Sequence, residues 1–96
     1  MSAYIIVDIK VTEPVTYEEY KKLAAATVTA YGGKYLARGG QTETLEGQWA
    51  PNRLVILQFD SIVRAIEWLV SPEYSEARQL RHRSAISNMI LVEGVA

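Results

Sequence analysis

Residues Tyr31–Gly40 read YGGKYLARGG, and this stretch decides how the chain divides into helices and strands. It follows a helical pattern, and Gly32 is well placed to adopt the left-handed backbone that ends a helix. Lys34–Arg38 has the composition of a short strand. The pair Gly39-Gly40 then interrupts extended structure, which residues 42–45 still favour. We interpret this pair as a bulge in one long strand, and a hairpin turn is the alternative.

Three further strands are predicted on either side of this stretch. The segments rich in β-branched and aromatic residues are Ala3–Val11, Arg53–Phe59 and Ser87–Val95. A helix is predicted after the first of them, because Thr16 with Glu19 three residues later matches a capping box. Apolar residues at three-to-four spacing continue this helix to the first glycine pair.

A second helix is predicted after the third strand, and it is broken in its middle. Asp60-Ser61 can cap its start. Trp68 lies at the flank of its apolar stripe, which consists of Ile62, Ala65, Ile66 and Leu69. Ser71-Pro72 ends one helical piece and starts another, since serine suits the N-cap and proline the first helical position.

The resulting order of elements is β-α-β-β-α-β, which predicts an α+β, ferredoxin-like fold with an antiparallel sheet. We expect one domain over residues 1–96. The first, third and fourth strands are apolar at both parities, as in a sheet that is covered on both faces. Two helices cover only one face, so we expect a second copy of the chain on the other, in a homodimer or a higher oligomer.

The composition excludes several classes of function. The chain has no cysteine, so disulfides and thiolate chemistry are impossible. A formal net charge of −1 argues against a nucleic-acid partner. No apolar run approaches the roughly 20 residues of a membrane span, and Met1 leads directly into a strand rather than a signal peptide. We therefore expect a cytoplasmic protein without a membrane partner.

Arg38 is the first candidate for ligand binding. Its guanidinium offers a fixed fork of donors that suits a carboxylate or phosphate, and the neighbouring glycines allow close backbone approach. Arg53 begins the third strand and can join Arg38 in one anion site if the second and third strands pair. The alternative is that Arg38 is exposed or forms an ion pair with Glu43, Glu46 or Asp8.

Three aromatic residues complete the predicted ligand-binding set. Trp49 lies in a predicted loop, where it can line a pocket or pack across a dimer interface. Tyr17 lies at a helix start and Tyr74 next to the break between the helical pieces. Core packing accounts for most tyrosines of the chain, but either of these two can direct its hydroxyl into a cleft.

Asp8 and His82 are the candidates for moving a proton. Asp8 interrupts an apolar strand, where burial would raise its pKa and an arginine partner would keep it ionised. His82 is the only histidine and lies among arginines near a helix C-terminus, where a surface role explains it. No acid at metal-ligand spacing accompanies it, so we expect no metal site.

The chain is similar to the dimeric α/β-barrel superfamily and, within it, resembles the uncharacterised family called domain of unknown function 1330. The residues that carry the resemblance are Tyr31-Gly32-Gly33, Leu36-Ala37-Arg38-Gly39-Gly40, Leu45-Glu46-Gly47, Trp49, Arg53, Phe59, Ala65, Trp68, Ser71-Pro72-Glu73-Tyr74, Arg81 and Leu91-Val92-Glu93-Gly94. The resemblance implies two ferredoxin-like protomers whose sheets face each other. It implies no activity, although related families include cofactor-independent monooxygenases, lactone isomerases and haem-handling enzymes.

Two hypotheses about function follow. The first is an enzyme that acts, without a bound cofactor, on a small organic anion held by Arg38. The second is a non-catalytic dimeric module that binds a small ligand or serves in assembly. A deep pocket at Arg38 with a titratable neighbour favours the first, and a filled cleft with a salt-bridged Arg38 favours the second.

Overall fold

The computed structural model describes residues 1–96. The elements along the chain are β1 (Ala3–Val11), α1 (Pro14–Ala30), β2 (Lys34–Arg38), β3 (Arg53–Phe59), α2 (Ile62–Leu69), α3 (Pro72–Ser84) and β4 (Ala85–Glu93). This order, with the second helix broken into α2 and α3, confirms the predicted ferredoxin-like α+β fold. None of the helices combines the length and apolarity needed to cross a membrane.

The four strands form one antiparallel sheet in the order β2-β3-β1-β4. Ile5 on the central strand β1 pairs with Leu57 of β3 and Leu91 of β4. Because side chains alternate along a strand, the odd-numbered residues of β1 all face the helices, and Ala3, Ile5, Val7 and Ile9 are buried there. The core thus lies between one face of the sheet and the helices.

The opposite face of the sheet, which we call the outer face, has no helix over it. Ile6 pairs with Ile56 and with Ile90 in one row across this face. Ile90 is 61% exposed, and Val92 on the same strand is 45% exposed. In these strands, the apolar residues of one parity are therefore buried against the helices. The apolar residues of the other parity lie on the outer face, which is left open.

The predicted start of α1 and both predicted ends of β4 are wrong. Helix α1 begins at Pro14, its N-cap is Glu13, and no side-chain cap hydrogen bond forms. Thr16 therefore lies inside the first turn, since proline at the first helical position is already arranged to start the helix. Strand β4 runs over Ala85–Glu93 rather than Ser87–Val95, because Ala85 pairs with the last residue of β1, Val11.

The caps of α2 and α3 agree with the prediction, but the buried stripe does not. The Ser61 hydroxyl accepts from the backbone N–H of Arg64, as a capping serine does. Ile66 is 46% exposed. Trp68 lies at the centre of the packing rather than at its flank, since it is fully buried and its indole N–H donates to Thr27.

Strand β2 does not continue through the second glycine pair. It ends at Arg38, Gly39 has φ +70°, and residues 39–52 form a loop. The preferred prediction of a bulge at these glycines is therefore wrong. A bulge does occur earlier, at Leu36, because Tyr35 pairs with Leu57 whereas Ala37 pairs with Ile56.

Candidate functional site

A cleft lies between the helix-facing side of the sheet and helices α1 and α3. Its enclosed volume is about 20 Å³, and about 420 Å³ with the open mouth included. The apolar and aromatic residues that line it are Val7, Ile9, Tyr17, Tyr20, Tyr35, Val55, Leu57, Trp68 and Met89. The charged residues that line it are Lys21, Arg38, Arg53 and Arg81. All charged side chains in the cleft wall are thus cations.

The bulge at Leu36 brings Arg38 to this cleft. In a regular strand, Tyr35 and Arg38 would point to opposite faces, because they are three residues apart. The one extra residue restores them to the same face, and Arg38 pairs with the inward-facing Val55. The Arg38 guanidinium carbon lies 4.4 Å from the centre of the Tyr35 ring, a cation–π contact.

Arg38 forms no ion pair. The ion pairs of the structure are Lys21 with Glu18 and Arg64 with Glu67. The alternative interpretation, in which Glu43, Glu46 or Asp8 neutralises Arg38, therefore does not describe this structure. The Arg38 side chain is exposed at the mouth of the cleft and carries an unpaired charge.

Arg53 is held in the cleft wall by a tyrosine and by a glycine. Its Nε donates to the Tyr17 hydroxyl at 3.1 Å, and its guanidinium carbon lies 5.5 Å from the centre of the Tyr17 ring. The guanidinium also passes close to Gly39, where an added Cβ would lie 2.7 Å from its Cζ. The structure thus brings together three of the predicted ligand residues: Arg38, Arg53 and Tyr17.

Arg81 is the cleft cation that the sequence analysis missed. It lies on α3, is only 6% exposed, and its Nε donates to the Tyr74 hydroxyl at 3.3 Å. Its other contact is from Nη2 to Nε2 of His82, at 3.5 Å. The sequence did contain a signal for its burial. Arg81 follows Tyr74 by seven positions, or two helical turns, which places both side chains on one buried stripe of the helix.

A pair of hydrogen-bonded tyrosines connects Arg81 to the cleft. The hydroxyls of Tyr20 and Tyr74 are 2.8 Å apart, and the Tyr74 ring lies 4.1 Å from the Trp68 ring. Tyr74 is fully buried behind the cleft wall, whereas Tyr20 lines the cleft. Burial raises the pKa of Tyr20 and of Tyr35, so both hydroxyls remain neutral.

Asp8 and Trp49 lie on the outer face, away from the cleft. The Asp8 carboxylate accepts from the Trp49 indole N–H at 3.0 Å and from the Asn52 backbone N–H at 2.9 Å. The hydrogen bond from Trp49 is the main cause that lowers the pKa of Asp8, so this carboxylate is ionised and is a weaker base than an ordinary aspartate. Trp49 is 61% exposed and lines a shallow depression with Ile6 and Ile90.

His82 lies on the exposed side of α3 and does not line the cleft. Partial burial is the main cause that lowers its pKa, and the positive charges of Arg81 and Arg78 add to the effect. Asp8 and His82 are therefore not brought together with the arginines. No group of three histidine, aspartate or glutamate residues is placed to hold a metal ion.

Comparison with known proteins places the chain among proteins of the same architecture. The family model described as Domain of unknown function (DUF1330) matches residues 2–95. No curated protein matches the chain.

Solved structures share this fold at low sequence identity. A protein of unknown function from Rhodopseudomonas palustris has 17% identity and a TM-score of 0.79, over 99% of this chain and 83% of that chain. A dimeric ferredoxin-like protein of unknown function from Jannaschia sp. CCS1 has 12% identity and a TM-score of 0.68, over 98% and 100%. SnoaB, a cofactor-independent oxygenase from Streptomyces nogalater, has 12% identity and a TM-score of 0.67, over 99% and 94%. Identities this low establish the shared fold alone.

Proposed function

We propose that this chain, which belongs to the domain of unknown function 1330 family, forms a homodimer and binds a small organic anion in its cleft, held at the mouth by Arg38 and Arg53. The family description assigns no activity. The support for this function comes from the cleft itself and from the uncovered face of the sheet.

One observation carries the proposal: each cleft arginine is positioned by a tyrosine and none by an acid. The pairs are Arg38 with Tyr35, Arg53 with Tyr17, and Arg81 with Tyr74. A carboxylate partner would position a guanidinium and also cancel its charge. A neutral tyrosine positions it and leaves the charge available, so the cleft has a cationic wall that an anion can complete.

The two hydrogen-bonded arginines also keep terminal nitrogens free for a ligand: both Nη groups of Arg53 and the Nη1 of Arg81. Tyr17 occupies the Nε of Arg53 and Tyr74 occupies the Nε of Arg81. The terminal Nη groups of Arg53 donate to no protein atom. These two groups form the edge of the guanidinium that binds a carboxylate in a forked geometry. This supports an oxyanion as the bound group.

The remaining walls suit an organic body attached to the anion. Val55, Leu57 and Met89 are among the apolar side chains that line the interior. The enclosed volume of about 20 Å³ holds roughly one water molecule, so entry of a ligand requires the mouth to widen. The exposed side chain of Arg38 and the half-buried Lys21 can swing aside, since exposed side chains change rotamer within nanoseconds.

The uncovered outer face supports the dimer. The row of Ile6, Ile56 and Ile90 forms an apolar strip across the sheet with no helix to bury it. Structural neighbours are described as dimeric ferredoxin-like proteins. A second copy of the chain, packed sheet to sheet, is the occupant that this face fits. Trp49 and Asp8 would then lie at or beside the interface.

Calorimetric titration of small apolar carboxylates tests the anion site. We expect Arg38→Met and Arg53→Met each to weaken binding at least about 10-fold, since a charged hydrogen bond contributes roughly 1.5–3 kcal/mol. Arg64→Met is the matched control, because Arg64 also lies over a tyrosine ring, at 4.5 Å from that of Tyr31, but outside the cleft. Equal affinity in wild type, both cleft variants and the control would refute the proposed site.

A second candidate is a cofactor-independent enzyme that acts on the same anion. The observation that favours it is the pair Tyr20 and Tyr74, which brings a protonated hydroxyl to the cleft wall. SnoaB, which shares the fold, is described as a cofactor-independent oxygenase. Following a bound carboxylate by NMR, in air and without added cofactor, separates the candidates: conversion of the ligand supports the enzyme, and an unchanged ligand supports the binding module.

A further inference from the structure

We propose that the cleft contains a second anion subsite, formed by Arg81 and Tyr20, and that the ligand is a small dicarboxylate with an apolar chain between its two carboxylates. This inference rests on the proposed function, which places one carboxylate at Arg38 and Arg53. It adds an interior position for the other carboxylate.

Arg81 supplies the charge of the interior subsite. It is 6% exposed, and neither of its hydrogen-bond partners, Tyr74 and His82, is an acid. A buried charge is costly unless a charge or several hydrogen bonds compensate it. The Nη1 group of Arg81 donates to no protein atom, and the side chain lines the cleft. A carboxylate in the cleft would supply the missing counter-charge.

Tyr20 supplies a second donor to the same subsite. The Tyr74 oxygen already accepts a hydrogen bond from Arg81. The Tyr74 O–H can therefore donate its own hydrogen bond to the Tyr20 oxygen, 2.8 Å away. The Tyr20 O–H is then free to donate into the cleft. The hydrogen bonds from Arg81 to Tyr74, from Tyr74 to Tyr20 and from Tyr20 to the ligand all run in one direction, which strengthens each of them. Burial raises the pKa of Tyr20, which therefore stays a donor.

The spacing of these two groups fits one carboxylate. Tyr20 Oη and Arg81 Nε lie 2.8 and 3.3 Å from the same oxygen, that of Tyr74. With ordinary angles at a hydroxyl, the two atoms are roughly 5 Å apart, so the Tyr20 hydroxyl and the Arg81 guanidinium, whose Nη1 is free, are near enough to contact one carboxylate. Arg81 and Tyr20 thus form a compact pair of donors rather than two unrelated polar groups.

The interior subsite is separate from the mouth. Arg38 and Arg53 belong to β2 and β3, and Arg38 is exposed, whereas Arg81 belongs to α3 and is buried. Apolar side chains, Val7 and Met89 among them, line the cleft between the sheet and the helices. Glu18 already pairs with Lys21, which leaves three unpaired guanidinium groups for the ligand. Two carboxylates balance this charge better than one.

Calorimetric titration of the wild-type chain with a matched ligand series tests this directly. The series is glutarate, the monocarboxylate of equal length (valerate), and inorganic phosphate, all at one ionic strength. We expect glutarate to bind at least about 10-fold more tightly than valerate or phosphate, since it alone carries one carboxylate for each subsite. Equal affinity for glutarate and valerate, or tighter binding of phosphate, would overturn the dicarboxylate assignment.

Variants assign the second carboxylate to its subsite. Arg81→Met should reduce glutarate affinity to that of valerate and leave valerate affinity within about twofold, and Tyr20→Phe should reduce glutarate affinity by a smaller factor. Arg83→Met, on the exposed side of the same helix, is the control. A loss of valerate binding in a folded Arg81→Met variant would contradict the assignment. If that variant does not fold, the wild-type series decides alone.

The same series distinguishes this inference from the proposed function. Binding of valerate that depends on Arg38, without any gain for glutarate, overturns the interior subsite and leaves the mouth site intact. Absence of binding by all three anions overturns both.

Discussion

The guanidinium group of Arg53 lies directly against the backbone of Gly39: a Cβ at position 39 would be 2.7 Å from the Arg53 Cζ. Gly39 also has φ +70°, a conformation that costs other residues about 1–2 kcal/mol. Its N–H donates to the Leu54 carbonyl at 2.8 Å, which ties the start of the loop to β3. The glycine after Arg38 is thus what allows the second cleft arginine to lie beside it.

Gly39→Ala is therefore expected to lower the free energy of unfolding by about 1–2 kcal/mol and to displace Arg53 from Tyr17. Carboxylate affinity should fall with it. Chemical denaturation and titration of the same variant measure both effects. Gly40→Ala is the matched control, because no atom lies within 4 Å of its added Cβ. If both variants have the same stability and affinity, the close approach of Arg53 is unimportant.

Arg81→Met should leave the free energy of unfolding within about 1 kcal/mol of wild type. The substitution removes a buried, unneutralised charge, and the gain offsets the lost hydrogen bond to Tyr74. Urea denaturation measures this in the absence of anions. A loss of several kcal/mol would contradict the expected cost of the buried charge and would mean that Arg81 stabilises the fold; the wild-type ligand series would then decide the subsite.

Tyr20 makes stability depend on pH in the alkaline range. Its pKa is raised from the ordinary 10.0 by burial, so above about pH 10 the unfolded chain loses a proton that the folded chain keeps. Stability is fully present below pH 10 and falls above it, by up to about 1.4 kcal/mol per pH unit for this group. Denaturation at pH 9 to 11 should show a shallower decline in Tyr20→Phe than in wild type. Identical slopes would show that Tyr20 is not buried as described.

Ile90→Glu should convert the protein from dimer to monomer without unfolding it. The side chain is 61% exposed on the outer face, so a charge there costs the protomer little but would be buried between two sheets. Light scattering should give twice the 10.7 kDa chain mass for wild type and a single chain mass for the variant. Val63→Glu, at 67% exposure on α2, should remain dimeric. A monomeric wild type at micromolar concentration would contradict the proposed assembly.

The order of the elements was predictable because local chemistry starts and ends most of them, although several exact boundaries differed. The start of β2 at Lys34 agrees with the prediction, since the first glycine pair ends the preceding helix, whereas its end at Arg38 does not, because the strand was expected to continue past Gly39-Gly40. Ser61 and Ser71 cap α2 and α3 as predicted, because a capping hydroxyl bonds to an N–H three residues away. Such signals need no information from elsewhere in the chain.

The site was predictable only in part, because its contacts join distant residues. The bulge at Leu36 arises from the register of β2 on β3, and nothing in the five residues of β2 indicates it. The hydrogen bond from Arg53 to Tyr17 joins residues 36 positions apart. Arg81 was not among the predicted site residues, since a charged residue is rarely buried without an acid. Its burial depends on Tyr74 and on the packing of α3 against α1.

A crystal structure of the protein with saturating glutarate would show both proposed subsites in one experiment. We expect one ligand in the cleft, with the oxygens of one carboxylate within about 3.2 Å of the guanidinium nitrogens of Arg38 or Arg53, and the other carboxylate at Arg81 and Tyr20. An empty cleft at saturating concentration, or a ligand bound only on the outer face beside Trp49, would contradict it.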